Sequence, residues 1–196
     1  MTDKPHIILG IDPGTLIMGY GLLAVNKSNV SLVEMGVLHL AKYKDHAERL
    51  ELIFKKMESL IKIHHPSAVA IEAPFYGKNV QSMLKLGRAQ GVAIAAAMVS
   101  GIHAVEYAPK KIKQSITGKG SATKEQVWKM LQYTLKFEED VRFTDATDAL
   151  AVALCHHYQG GLPIVSQKAG IATGVAKGKK SNGWEAFITS NPDRVR

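Results

Sequence analysis

The chain has 196 residues, of which 46% are apolar, and this suits one folded domain with room for a tail. Its 25 basic and 17 acidic side chains give a net charge of +8, which favours an acidic partner without establishing one. The single cysteine, Cys155, excludes a disulfide framework and a cysteine-based zinc site, and it predicts a reducing, cytoplasmic location. We expect no signal peptide and no membrane anchor, because the apolar runs fall short of the roughly 18 residues that a spanning helix needs.

Three short apolar segments at the start of the chain predict an antiparallel meander. Turn residues separate the segments, among them Pro13-Gly14, Asn26 and Ser28-Asn29. Connections this short join antiparallel strands. The predicted strands are His6–Asp12, Met18–Val25 and Val30–Leu40.

Two units, each a helix followed by a strand, come next and predict parallel pairing. The first unit is an amphipathic helix over Asp45–His64 and a strand over Ala68–Glu72. The second is a helix over Gln81–Met98 and a strand over Ile102–Tyr107. A long helix between two strands is a crossover connection, which joins parallel strands.

Three further helices complete the predicted order of elements. A short basic helix runs from Pro109 to Gly118, the next is capped by Thr123, and the last covers Asp145–Tyr158. The order β-β-β-α-β-α-β-α-α-α is that of the ribonuclease H-like fold, an α/β fold. We therefore predict a mixed five-stranded sheet, with three antiparallel and two parallel strands, flanked by helices.

Four carboxylates are the candidate catalytic residues. Asp12 and Glu72 end the first and fourth predicted strands, which are neighbours in this fold with their carboxyl ends at one edge. Asp145 and Asp148 are three residues apart, so they share one face near the start of a largely apolar helix. Other roles stay open for each: a turn for Asp12, a solvated strand end for Glu72, and helix capping for the other two.

Carboxylates that converge in this way would repel one another and attract cations. Oxygen ligands without a Cys or His framework select Mg²⁺, for which Mn²⁺ can substitute, rather than Zn²⁺. Two such ions in one site could activate a water and stabilise a leaving 3′-oxygen. The four acids together thus predict metal-dependent phosphodiester hydrolysis.

Four segments of the chain resemble the landmark segments of the RuvC family, the bacterial Holliday junction resolvases. They are IILGIDPGTLIMGYG, IEAPFYGKNVQSMLKLGRAQGVAIAAA, KKIKQSITGKGSATKEQV and TDATDALAVALCHH, in the family's order within residues 6–158. The resemblance implies a homodimeric endonuclease that cuts four-way DNA junctions with Mg²⁺ by paired symmetric nicks, in recombination and repair. It also implies a RuvA–RuvB branch-migration complex as a partner, and it assigns catalysis and metal binding to Asp12, Glu72, Asp145 and Asp148.

Side chains near this site are candidates for contact with DNA. Phe75 matches a family aromatic that helps to open the junction, and Tyr76 beside it can also stack on an unpaired base. The alternative for Phe75 is an aromatic folded back on the sheet. A basic cluster surrounds a glycine-rich loop, and by resemblance its Lys113 and Lys124 lie near the scissile phosphate. The candidate DNA contacts are Phe75, Tyr76, Lys78, Asn79, Lys113, Lys119 and Lys124.

Small residues recur along the second helix, at Gly87, Ala89, Gly91 and Ala93. They permit close helix approach, either inside the domain or between two copies of the chain. A junction must be cut on two strands, and a two-fold dimer would supply two matching sites.

The C-terminal part of the chain differs from the rest. Residues 163–196 lose the apolar periodicity, so we predict a nuclease domain over 1–162 and a basic, disordered tail over 163–196. Residues 166–196 carry half of the net charge. We expect no counterpart of this tail in the family.

Two other functions stay open on the sequence alone. A non-catalytic module that binds branched DNA would share the basic cluster, although bare carboxylates at a DNA surface would weaken binding. A nucleotide-binding protein of the actin and sugar-kinase class shares the fold, but such proteins normally need two domains of this kind. Cleavage that is lost in Asp12→Asn while binding persists would separate the nuclease from the binding module.

Overall fold

The structure is a computed structural model that describes residues 5–27, 29–74, 79–137 and 144–160. The elements occur in the predicted order, with ends that shift by one or two residues. Strands and helices are β1 (His6–Asp12), β2 (Ile17–Asn26), β3 (Asn29–His39), α1 (His46–His64), β4 (Ala68–Glu72), α2 (Val80–Val99), β5 (Ala104–Tyr107), α3 (Pro109–Thr117), α4 (Lys124–Leu135) and α5 (Thr144–Tyr158). No helix within the described ranges is long and apolar enough to cross a membrane. The predicted tail, 163–196, lies outside them.

The five strands form one mixed sheet in the order β3-β2-β1-β4-β5. The first three strands pair antiparallel, and β4 pairs parallel with both β1 and β5. The predicted sheet is therefore confirmed. One detail differs: Asn26 and Asn29 already pair with each other at the ends of β2 and β3, although the sequence predicts both in the turn.

The two faces of the sheet carry separate cores because side chains alternate along each strand. Leu9 and Ile11 of β1 pack toward α1 and α2. Ile8 packs toward α3, α4 and α5 on the other face, with Leu23 and Ala70 beside it. The same alternation puts Asp12 on the face that α5 covers.

Three glycines let α5 lie directly on β1 and β2. A Cβ on Gly10 would fall 2.1 Å from the carbonyl oxygen of Ala149, and one on Gly19 would fall 1.9 Å from that of Asp145. At Gly21 the same atom would be 2.8 Å from the Cα of Leu150. The approach of α5 to the sheet, and with it the position of the two acids in its first turns, requires these missing side chains.

Candidate active site

Asp12 and Glu72 lie next to each other at the carboxyl edge of the sheet. Ile11 pairs in register with Ile71 on the parallel strands β1 and β4, so the next residue of each strand reaches the same height. Beyond Glu72 the backbone stays fixed, since the N–H of Ala73 donates to the carbonyl oxygen of Tyr107 over 2.9 Å. The sheet register thus brings the two predicted strand-end acids together.

The start of α5 adds Asp145 and Asp148 from the face above. Asp148 lines the same cavity as Asp12 and Glu72. The charges of Asp145 and Asp148 both act on Asp12. At the other end of the helix, a 2.9 Å hydrogen bond joins the hydroxyl of Tyr107 to Nδ1 of His156 and ties α5 to β5.

Burial and mutual repulsion raise the pKa values of the two strand-end acids. Burial is the largest cause at Asp12, followed by the charges of Glu72, Asp148 and Asp145, and together they raise its pKa from 3.8 to about 8. Burial and then Asp148 raise the pKa of Glu72 from 4.5 to about 7. Carboxyl groups in this state need a cation before all of them can ionise at neutral pH.

Lys124 is a positively charged residue that interacts with these acids. It is the first residue of α4, and its Nζ donates to Oδ2 of Asp148. Partial burial lowers the pKa of Lys124, but the hydrogen bond to Asp148 and the charges of Asp12 and Asp145 outweigh it and raise the pKa. The ammonium therefore stays charged and compensates part of the acidic charge.

Two cavities flank the strand-end acids. The larger has a volume of about 610 Å³, and its lining includes three acids and three lysines: Asp12, Glu72, Asp148, Lys110, Lys113 and Lys124. The smaller, of about 190 Å³, lies toward α2, and Leu86 and Gln90 are part of its wall. The carboxylates thus face open space lined by positive charge, which suits a phosphodiester backbone.

The predicted DNA contacts divide into three groups. Lys113 and Lys124 line the larger cavity, whereas Lys119 lies in the loop between α3 and α4, where its N–H donates to Thr117 Oγ1 over 3.2 Å. Asn79 caps α2, because its side chain accepts a 3.1 Å hydrogen bond from the N–H of Ser82. Phe75, Tyr76 and Lys78 lie outside the described residues.

Lys110 also lines the larger cavity, although the sequence does not single it out as a DNA contact. From sequence alone, a solvated helix face accounts for it equally well. The available signal is its position three residues before Lys113, which gives the two lysines the same face of α3.

The acids fit a hard divalent cation by their chemistry, since every donor is a carboxylate oxygen. Burial is the largest cause of the raised pKa values of Asp12 and Glu72, and the negative charge of neighbouring acids adds to it. A bound cation would compensate that negative charge. Among the residues that the structure describes, no three His, Cys, Asp or Glu side chains are already arranged around one ion. Asp148 is engaged with Lys124 instead. A cation would thus compete with the lysine for this carboxylate.

Residues 8–156 match the family model described as crossover junction endodeoxyribonuclease RuvC. The chain belongs to the RuvC family. It is 54% identical to a RuvC endonuclease of Cytophaga hutchinsonii over 97% of this chain and 88% of that one. The RuvC endonuclease of Porphyromonas gingivalis is 48% identical over the full length of both chains. Membership assigns the chain to a family of junction nucleases and favours this function over the binding module and the nucleotide-binding protein.

Solved RuvC structures confirm the ribonuclease H-like fold. RuvC of Thermus thermophilus in complex with a Holliday junction substrate superposes with a TM-score of 0.75 at 31% identity, over 79% of this chain and 94% of that one. The yeast mitochondrial Holliday junction resolvase Ydc2, at 18% identity, has a TM-score of 0.62 and supports the fold alone.

One expectation about the C-terminal segment is wrong. The alignment with the P. gingivalis RuvC covers 100% of both chains, so the segment after Leu162 has a counterpart in that relative. The four landmark segments all lie before Leu162, so they contain no information about the C-terminal segment.

Proposed function

We propose that this RuvC-family chain resolves Holliday junctions by paired symmetric nicks, as a homodimer that uses two Mg²⁺ ions per site. The observation that carries the proposal is the convergence of four acids beside a cavity lined by lysines. Asp12 is the centre of the group, because the charges of all three other acids act on it. The Thermus RuvC that binds a Holliday junction supports the choice of substrate.

In this mechanism Asp12, Glu72, Asp145 and Asp148 would hold the metal ions through their carboxylate oxygens. Bound Mg²⁺ would supply an activated water and stabilisation of the leaving 3′-oxygen. Asp12 and Glu72 must be ionised to act as ligands, so they release protons when the site fills. Their rigid strand ends fix the ligand oxygens and lower the entropy that is lost on binding.

The lysines orient the DNA rather than react with it. Lys110 and Lys113 line the larger cavity together with the acids, so a phosphate there would meet positive charge beside the carboxylates. Lys119 and Asn79 extend the proposed contact to the loop after α3 and to the start of α2. Stacking by Phe75 and Tyr76, and a phosphate contact by Lys78, complete the proposed interface.

An exposed apolar seam on α2 supports the homodimer. Ala89 and Ala93 are buried in the core, whereas a Cβ on Gly87 or Gly91 would meet nothing within 4 Å among the described residues outside the backbone of α2. Apolar side chains continue the glycine line at intervals of three or four residues, which keeps them on one face of the helix. The seam is Val80, Leu84, Gly87, Gly91, Ala95 and Met98. Glycines in such a line permit close approach of a second helix.

Two further expectations accompany this function. A RuvA–RuvB branch-migration complex is the proposed partner at the junction, and the cytoplasm is the proposed location. Copurification with RuvA or RuvB on junction DNA would test the first, and fractionation of cells would test the second.

The deciding experiment is a nicking assay on a synthetic four-way junction, with products mapped on all four strands. Wild type with Mg²⁺ should cut two strands at symmetric positions, and Asp12→Asn should bind the junction without cutting it. Glu58→Gln is the matched control, because Glu58 is an acid on α1 that pairs with Lys62 on the helix surface. Binding of the junction without any nicking by wild type, in Mg²⁺ or Mn²⁺, would refute the catalytic role.

A further inference from the structure

The ion pair between Lys124 and Asp148 joins two helices across the candidate site. Lys124 begins α4, and Asp148 lies near the start of α5, 24 positions later. The lysine side chain is 64% exposed, whereas the aspartate side chain is only 21% exposed. The ammonium can therefore leave the pair for solvent or for another anion at low cost, while the carboxylate stays in place.

The stability of α4 does not explain why a lysine occupies the first position of this helix. A cation at the first position of a helix opposes the helix macrodipole. The cap is already complete without it, since Thr123 accepts from the N–H of Gln126 and the Gln126 side chain accepts from the N–H of Thr123. The partner that accounts for the position of Lys124 is thus Asp148.

Lys124 also differs from the neighbouring lysine of the cavity. Its charge acts on Asp12, Asp145 and Asp148. At Glu72 both lysines act, and the charge of Lys124 has the larger effect. A divalent cation at Asp148 would be repelled by an ammonium already bound there, so the two compete for one carboxylate. A DNA phosphate in the cavity would offer the ammonium another anion.

We propose that Lys124 exchanges between Asp148 in the free protein and a phosphate of bound junction DNA. Substrate binding thereby frees the Asp148 carboxylate to bind the divalent cation. The inference rests on the proposed function, because it requires that DNA and cation meet at this site. Linkage makes the effect reciprocal: DNA strengthens cation binding by the same factor by which the cation strengthens DNA binding. Lys124 is thus a positioning residue that couples substrate to metal.

The first measurement is the affinity of the free protein for Mn²⁺, read from the electron paramagnetic resonance signal of unbound Mn²⁺. Lys124→Gln should bind Mn²⁺ about 3- to 10-fold more tightly than wild type, because the competing ammonium is gone. Lys124→Arg keeps the charge and should bind like wild type. Lys113→Gln removes an equal charge from the same cavity and should change the affinity less. Equal tightening by Lys124→Gln and Lys113→Gln would overturn the exchange in favour of a general charge effect.

The second measurement adds a four-way junction in which methylene groups replace the 3′-oxygens at the crossover, so that the phosphate charges remain but hydrolysis is blocked. The junction should tighten Mn²⁺ binding in wild type and in Lys124→Arg, and much less in Lys124→Gln. An equal gain in wild type and Lys124→Gln would refute the exchange. Nicking of an unmodified junction by wild type, in Mg²⁺, is scored in parallel: its absence would refute the proposed function, whereas nicking with unchanged coupling would refute the exchange alone.

Discussion

Gly10 and Gly21 lie directly opposite each other on the antiparallel strands β1 and β2, and the backbone of α5 fills the space above both. The backbone of α5 lies closer to the sheet at these two positions than any residue with a Cβ would permit. Because Asp145 and Asp148 stand on the first turns of this helix, the glycine pair sets how far these acids lie from Asp12.

Gly10→Ala tests this relationship. Its Cβ would collide with the carbonyl oxygen of Ala149, a backbone atom that cannot move without α5. We expect the free energy of unfolding to fall by about 1–3 kcal/mol, the usual cost of overpacking a core. The nicking rate should fall by more than the loss of folded protein explains, because the displaced α5 would also move Asp145 and Asp148. Urea unfolding and Mg²⁺-dependent junction cleavage measure the two effects.

Glu58→Gln is the control, because Glu58 pairs with Lys62 on the surface of α1 and takes no part in the contact between α5 and the sheet. Its free energy of unfolding and its nicking should both stay near the wild-type values. A Gly10→Ala protein as stable and active as wild type would show that α5 does not depend on the close approach.

The limits of sequence reasoning come from the range of each interaction. Alternation along β1 and β4 and the crossover by α1 are local patterns, and they are enough to predict Asp12 and Glu72 as neighbours. The glycine contacts with α5 and the pair of Lys124 with Asp148 join residues far apart in the chain, where no periodicity relates them. The place of Lys110 in the cavity wall escapes prediction for the same reason, since its environment depends on how α3 lies over the sheet.

The pH dependence of stability provides a second prediction. The pKa of Asp12 is about 8 in the folded chain against an ordinary 3.8, and that of Glu72 is about 7 against 4.5. As the pH rises, the unfolded chain loses these protons first, so the free energy of unfolding of the metal-free protein should fall between about pH 4 and pH 8. Asp12→Asn should therefore be more stable than wild type at pH 8, by on the order of 2 kcal/mol. Urea unfolding in EDTA across this range measures the difference.

Near pH 4 the two proteins should differ little in stability, because Asp12 is then protonated in the folded wild type and close to half protonated in the unfolded chain. Glu58→Gln, which alters an acid of the α1 surface, should follow the wild-type profile throughout. A wild-type stability that rises from pH 5 to pH 8 would contradict the raised pKa values.

Metal binding should release protons at neutral pH. Near pH 7 the carboxyl of Asp12 is largely protonated in the metal-free protein, and Glu72 is partly so. A cation can use these oxygens only after the protons leave, so Mg²⁺ affinity should rise as the pH increases from about 6 to 8. Calorimetry in buffers of different ionisation enthalpy should detect about one proton released per site. A proton count of zero would mean that both acids are already ionised.

The dimer seam can be tested with a single charge. Leu84 is 54% exposed on α2, in line with the open glycines, so Leu84→Glu would put two like charges at a two-fold interface. We expect the dimer to dissociate into monomers in light scattering coupled to gel filtration. Ile63→Glu, at a 65% exposed position near the end of α1, should remain dimeric. A Leu84→Glu protein that stays dimeric would place the interface elsewhere.

The salt dependence of junction affinity tests the basic wall of the cavity. Lys113 lines this cavity together with the acids, so we expect its ammonium to neutralise one phosphate near the cut. Lys113→Gln should reduce the slope of log affinity against log salt by about 0.9 per active site, the value for one released counterion. Lys62→Gln, which removes a 70% exposed lysine that pairs with Glu58 on α1, should leave the slope unchanged. If both variants reduce the slope equally, the lysines act through net charge alone, and the cavity does not determine where the phosphate lies.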